Sequence, residues 1–484
     1  MTTDMKNGLG LTTEETIALA TGIKPGSRTP TSEAIKGITI SNFQYGYPLE
    51  APAKSLYFIE DALRRRIPRV VNPTGGTAAR WKVITAINPG KIKAGVAEGA
   101  VNTALNMTDA EKSATYKTLN MYNDYTDEAK FFGRRFVDVP QLGMLITLQN
   151  LMIQEDRYIL GGNQTTLNTA MAAATITAAG ATTTGGALVS ATAYDVAVSA
   201  LTLHGYLNGA NGRGTADSAD ETIAKALANQ TPGGTHNSLL LTWTDVPGAF
   251  AYNVFISTNA TGTPFYLATV TTNRYVALIN KTSGNVSNTA DQSADTRGYS
   301  GILEQLTLGG ATGAYYASAA GAALTTDGAG GVVEIETALQ SIWNNYRVSP
   351  TLLVVNAQEA RSIKKLSIGS STANAVRITV TPDGKNEFGA GSAVNAYWNP
   401  YTSQWIKVLV SVHCPPGKIL LLGETVPYPN SETPNNFEVE LQQEYYGEIF
   451  ARTARKTPVG VTCIGALKIY LPGACGVIAN CAPA

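Results

Sequence analysis

Charge is scarce in this chain. Asp, Glu, Lys and Arg make up 15% of its 484 residues, well under the roughly 25% usual in soluble proteins. The 36 basic and 36 acidic residues cancel, which excludes the basic excess of a dedicated nucleic-acid binder. A surface so poor in charge must be covered by Ala, Thr, Gly, Ser and Asn, or buried against other copies of the chain. Cysteine is sparse too. Cys414, Cys463, Cys475 and Cys481 show no C-x-x-C spacing, so structural thiols are expected rather than a disulfide framework. His204, His236 and His413 lie near no nucleophile motif, and His413 beside Cys414 lacks two further ligands at zinc spacing. No G-x-S-x-G, H-E-x-x-H or calcium-loop pattern occurs, and Gly417-Lys418 lacks the rest of a phosphate loop. The chain therefore reads as a non-enzyme without a metal or cofactor. It opens with no basic region and apolar core of a secretory signal, and no apolar run approaches the ~18 residues of a membrane span.

What is present is strongly patterned. The stretch from Phe136 to Asn163 predicts one long helix. Asp138 suits its cap and Pro140 its first turn, where a missing N–H costs nothing. Leu142, Leu145, Ile146, Met152, Ile153 and Leu160 make one stripe at helical spacing, and Met144, Leu148, Leu151 and Tyr158 a second. Gly161 and Gly162 are expected to supply a left-handed stop. At about 20 residues the rod is about 30 Å long, and with two apolar faces it must be sandwiched between partners.

Residues 1–50 are polar and broken by Gly and Pro, an arm expected to order only against something else. KSLYFIEDALRRRIPR then runs into the basic cluster Arg64, Arg65, Arg66 and Arg69. Alternation over 77–87 reads as a strand, and YKTLNMYNDYTDEAKFF as a strand and helix. A small, glycine-interrupted run lies between them, which makes a long hairpin over about 76–133. Two Ala/Thr/Gly tracts, 164–185 and 309–331, read as linkers. Between them the texture is all-β: LLLTW, the turn DVPGA, then Tyr252, Val254 and Ile256 facing one way, followed by PFYLATV and RYVALI. LTWTDVPGAFAYNVFIS resembles the central strand pair of fibronectin type III and immunoglobulin-like domains, so the segment 186–297 is expected to be such a sandwich. After 331 the texture is α/β: the helix VVEIETALQSIWNNYRV, the strand SPTLLVVN, a helix capped by Asn356 with Glu359 at the capping-box position, then WIKVLVSV, PPG and KILLLG. FEVELQQEYYGEIFARTARKTPVGVTCIGALKIYLP closes the chain with two or three strands.

In this order of parts the sequence resembles the major capsid proteins of tailed bacteriophages, with the Hong Kong 97-type fold. The resemblance implies an α+β architecture: an N-terminal arm (1–50), the start of a peripheral domain with an extended loop (51–136), a spine helix (137–163), a linker (164–185), an immunoglobulin-like insertion (186–297), a return segment (298–330), an axial domain (331–430) and closing peripheral strands (431–484). It implies a virion protein, assembled in the host cytoplasm into hexamers and pentamers of an icosahedral shell around double-stranded DNA. The partners implied are further copies of the chain, a separate scaffolding protein, a portal, cement or decoration proteins and DNA held non-specifically, with no membrane. The inserted domain would decorate the outer surface.

Arg64, Arg65, Arg66, Arg69, Arg134, Arg135, Arg452 and Arg455 are the candidate inter-subunit or DNA-facing charges, with Glu98, Asp124, Glu438 and Glu440 as possible acidic partners. Each arginine can equally be a solvated or intrachain charge. On the first reading, reversing Arg65 and Arg66 together blocks assembly. Lys91, Lys93, Lys112 and Lys117 lie in the extended loop, but no pattern marks a crosslinking lysine. An encapsulin-like compartment shell shares the fold expected here, and a glycan-binding adhesin is the rival from another class.

Overall fold

Leu151, Ile159 and Leu160, all buried, bring one side of a 23-residue helix, Val139–Gly161, onto the main core. That core is the organising centre of the computed structural model. The structure describes residues 61–72, 76–86, 95–102, 108–133, 138–167, 175–208, 220–258, 264–281, 284, 286–294, 298–308, 313–328, 330–368, 394–426, 434–452 and 454–483. The chain divides into two compact units, Met1–Phe58 with Phe131–Asp138, and Ile59–Lys130 with Val139–Ala484. All that follows concerns the second. The N-terminal arm, Arg134, Arg135, Lys91 and Lys93 lie outside the described residues.

The long helix packs on a four-stranded sheet of order β1 (Arg69–Val71), β17 (Phe437–Ile449), β18 (Lys456–Ile469), β4 (Lys117–Thr126). β1 runs parallel to β17 and the other pairs are antiparallel. The hairpin foreseen from alternation is β2 (Ala78–Ala86) against β3 (Thr108–Thr115), with Arg80 opposite Ser113 and Lys82 opposite Glu111. Its return strand falls earlier than YKTLNMYNDY, which instead forms β4. Ala79, Trp81 and Val83 alternate into a small core, and the Trp81 indole donates to the Ile469 carbonyl at 2.9 Å.

Seven strands form a two-sheet sandwich around a second core: β10 (Phe265–Val270), β9 (Ala251–Thr258), β6 (Tyr194–Leu201) and β7 (Lys225–Gln230) in one sheet, β11 (Arg274–Ala277), β8 (Leu239–Trp243) and β5 (Ile176–Gly180) in the other. Every pairing is antiparallel. Tyr252, Val254 and Ile256 do share the inner face, and Trp243 meets Tyr252 edge-on at 5.3 Å. The expected linker at 164–185 therefore contributes a strand, β5. Ala and Thr carry no pattern of their own there, and pairing with β8 supplies the structure.

The third layer is a six-stranded sheet, β12 (Tyr315–Ser318), β19 (Gly476–Ala479), β16 (Ile419–Leu422), β13 (Leu352–Val355), β15 (Gln404–Val410) and β14 (Ala396–Asn399). Leu352 and Val354 turn toward the main core, while Leu353 and Val355 turn toward a third core under the helix Val333–Tyr346. A fully buried strand reads as an unbroken apolar run for this reason. Two expectations shift here. The second Ala/Gly tract supplies β12, and β19 leaves the closing segment to join this sheet rather than the four-stranded one. Asn356 does cap the helix Ala357–Ile368, accepting the Gln358 N–H at 3.1 Å. Glu359 does not close a capping box. It accepts the Gly417 N–H at 2.8 Å instead, fastening the PPG turn to the helix.

Candidate functional site

The turn after Asp61 places four arginines within reach of the long helix and the sheets around it. Leu63 and Ile67 point into the core, which sends Arg64 toward the helix. Glu155 sits one helical turn from both Leu151 and Ile159, on the buried face, and takes the Arg69 guanidinium as a two-pronged pair at 2.8 and 2.9 Å. Arg64 Nε lies 2.9 Å from the same carboxylate and 2.9 Å from the Tyr445 hydroxyl, which itself donates to Glu155. The Tyr445 ring lies 4.8 Å from the Arg69 guanidinium carbon and 5.2 Å from that of Arg64. Planar forks on one carboxylate and one aromatic face suit arginine and not lysine. Burial works against both arginine charges, but the hydrogen bonds to Tyr445 and Glu155 and the Glu155 charge outweigh it, so both pKa values end above the ordinary one.

Asp156, next along the helix and buried, accepts the Arg64 backbone N–H at 2.8 Å, while its other oxygen has no hydrogen-bond partner. Burial pushes its pKa up to about 6, and the nearby Asp61 and Glu155 charges add to that. The folded chain thus holds a proton that the unfolded chain has released between about pH 4 and 6. The Asp156 contribution to stability is full below about pH 4, is lost as pH rises to about 6, and is flat above, a swing of about 3 kcal/mol. Asp156→Asn should remove this pH dependence, read as a wild-type-minus-variant difference in urea unfolding at pH 4.5 and 7.5. Parallel curves at both pH values would disprove it.

The other arginines also have partners within the chain. Arg66 grips Glu424 with two hydrogen bonds of 2.6 and 2.7 Å. Arg65 meets Asp61 at 2.7 Å, Arg452 meets Asp127 at 2.5 Å, and Arg455 meets Glu128 at 2.9 Å. Arg65 and Arg455 nevertheless stay 57% and 81% exposed. Among the acids, Asp124 pairs with Lys456 at 2.9 Å, Glu440 meets Lys468 and the Tyr116 hydroxyl, and Glu438 accepts from Tyr470. Glu98 stands in an exposed segment. Glu155, Asp156 and Tyr445 escaped the reading of the sequence. A carboxylate at four-residue spacing inside an apolar stripe, Leu151–Glu155–Ile159, was the available signal.

Among the described residues several apolar side chains stay exposed. Every residue from 95 to 102, at the far end of the hairpin, is exposed, Val101 at 96%. On the long helix, Met144, Leu148, Leu151 and Tyr158 pack inward, but Leu145 is 51% exposed and Leu142, Ile146, Met152 and Ile153 are only half-buried. Of that predicted stripe, Leu145 is thus the exposed member within a single chain, while Leu160 at its end is buried in the main core. Trp398 and Trp405 stand opposite each other on β14 and β15, rings 4.9 Å apart, with Trp405 67% exposed. Among the described residues no group of three or more His, Cys, Asp or Glu side chains is placed to hold a metal.

No family model and no curated protein matches this sequence. Among solved structures it is similar to the holo-SrpI encapsulin complex from Synechococcus elongatus, at 10% identity and a TM-score of 0.37, covering 94% of this chain and 96% of that one. It is also similar to the capsid of Myoviridae phage XM1, at 10% identity and a TM-score of 0.38, covering 91% and 98%. A third similar structure is Mycobacterium phage Bobi, at 8% identity and a TM-score of 0.40, covering 93% and 98%. The likeness is distant. The chain itself is an α+β arrangement of open sheets and separate helices, and its function has to be argued from its own surfaces.

Proposed function

We propose that this chain is a shell-building subunit, the major capsid protein of a tailed bacteriophage, assembling into hexamers and pentamers around double-stranded DNA. The observation that carries the reading is Leu145 of the long helix, exposed in one chain beside the half-buried Leu142, Ile146, Met152 and Ile153. Contiguous exposed apolar surface on a folded chain marks an interaction site, and the coreless hairpin end at 95–102 is a second such surface. Low charge supports the same reading, because broad uncharged contacts give stability by accumulation. The seven-stranded sandwich fits an immunoglobulin-like domain presented on the outside. Arg65, Arg452 and Arg455, the most exposed of the six candidate arginines among the described residues, are the ones with surface left for a neighbour or for phosphate. A separate scaffold and a portal complete the assembly on this reading.

Expression of the full chain, alone and with a candidate scaffold, should give shells, tubes or hexameric rings by negative-stain electron microscopy. A monodisperse monomer under both conditions would refute the proposal. Shells that hold protein cargo and no nucleic acid would favour a compartment shell instead. Leu145→Asp with Val101→Asp should abolish particles while leaving the far-ultraviolet circular dichroism of the chain unchanged. Arg65→Glu with Arg455→Glu should reduce particle yield at least tenfold on the order-of-magnitude scale of paired charge reversal. This pair tests surface charge better than Arg65 with Arg66, since reversing Arg66 also breaks its bridge to Glu424. Unchanged yield would remove these arginines from the assembly surface.

A further inference from the structure

The inserted sandwich would be a passive appendage if its core were closed and its base met the rest of the chain only through two strands. It does neither. Leu203 and Phe250, both from the insert, are buried members of the main core, alongside Leu151, Ile159 and Leu160 of the long helix. In exchange, Leu167, which follows the helix, is buried in the sandwich core, and Leu308, which follows the helix Ile302–Thr307, packs against it.

One short turn makes most of these contacts. Val246 N–H and the Asp245 carboxylate hold the Tyr252 hydroxyl at 2.9 and 2.6 Å, which fixes the turn from the sandwich side. Gly248, at φ +79°, approaches Leu308 so closely that a Cβ would overlap that side chain. The Ala249 carbonyl accepts from the Lys418 ammonium, buried at the start of β16. Burial lowers the Lys418 pKa, and the Asp245 charge partly opposes that. Phe250 lies over Gly161, where a Cβ would stand 2.9 Å from its ring. The Phe250 ring in turn meets Tyr206 at 5.3 Å, and the Tyr158 hydroxyl of the long helix bonds His204. Two more close approaches complete the base: a Cβ on Gly417 would lie 2.9 Å from Thr272, and one on Gly321 2.7 Å from Arg274.

We infer that the sandwich is a keystone of the chain, docked by Asp245–Phe250 into a socket of Gly161, Leu308 and Lys418, so that the two fold and open as one unit. The interface joins the end of the long helix, through Gly161 and Tyr158, to the six-stranded sheet, through Lys418. Because each core contains side chains from the other side, opening either one leaves voids in both. The inference concerns one chain and holds whether or not the chain assembles.

The test is native-state hydrogen exchange by mass spectrometry on the full chain, comparing samples of the same assembly state by size exclusion. Leu241→Ala hollows the sandwich core at a residue that belongs to that core alone. The expected result is faster exchange, about a hundredfold, in the sandwich strands and also in segments 156–161 and 419–422. Acceleration confined to the sandwich would overturn the inference. If Leu241→Ala gives no folded protein, Ile256→Val at the same core makes a smaller void and is read in the same two regions. Phe250→Leu provides the reciprocal test at the interface. Both sides should lose protection together, and loss on one side only would again overturn it.

Discussion

Glu155→Gln should cost the folded chain about 3–5 kcal/mol, among the largest effects available from one isosteric change. The substitution keeps the shape of the side chain and removes the charge that holds both Arg64 and Arg69. Neither arginine can retreat to bulk water without leaving the Tyr445 ring and unseating the turn at 61–67 or β1. Two guanidiniums would then share a largely buried site with a neutral amide, and a lost partner in such a site costs more than the pair itself contributes. Guanidinium chloride unfolding monitored by tryptophan fluorescence measures the loss. A cost below about 1 kcal/mol would mean that solvent screens the cluster as it does a surface pair. Replacing all three together, Glu155→Leu with Arg64→Met and Arg69→Met, should recover most of the loss, since apolar groups of similar volume carry no desolvation penalty. The cluster then serves mainly to fix where the turn at 61–67 and strand β17 meet the helix.

The second large effect is expected from a single methyl group. Gly162 follows the long helix, and its N–H donates to the Tyr158 carbonyl at 2.9 Å. A Cβ on it would overlap the Tyr299 carbonyl oxygen and stand 2.8 Å from that of Tyr158. Both obstacles are backbone atoms, which cannot swing aside as a side chain can. The Gly162 carbonyl also accepts the Gly301 N–H at 2.8 Å, so this point ties the departing chain to the returning one. Gly162→Ala should therefore destabilise by about 3 kcal/mol, at the upper end of overpacking costs, with an m-value close to that of the wild type. Gly95→Ala, at a glycine with nothing within 4 Å of its Cβ, is the matched control and should be nearly silent. Equal stability of the two variants would show that the helix end yields more easily than its close contacts imply.

The same junction explains why the sandwich was foreseen and its docking was not. LLLTW, DVPGA and the alternation of Tyr252, Val254 and Ile256 are local signals, written in neighbouring residues, and they produce β8, the turn and β9. The same local logic covers the long helix, which runs over Val139–Gly161 but ends without the left-handed glycine expected there, and the alternating face of Ala79, Trp81 and Val83. These features follow from backbone sterics and the periodicity of apolar residues, both short-range properties of the chain.

Tertiary structure alone decided the rest. ITAAG and YYAS have no periodicity that marks them as strands, yet β8 and β19 present edges whose backbone groups must be paired, and those segments pair them. The arginines advertise themselves in sequence, but their partners lie 86 and 358 residues away for Arg69 and Arg66. No local rule can choose among 36 acidic residues for a given guanidinium. Which residues of the long helix are covered was likewise beyond the sequence, because both stripes are apolar and only the placement of β4 and β18 decides it. Local sequence determined what each segment can be. Burial, pairing of backbone groups and charge compensation across the chain decided what each segment touches, because those free energies exist only once distant residues have met.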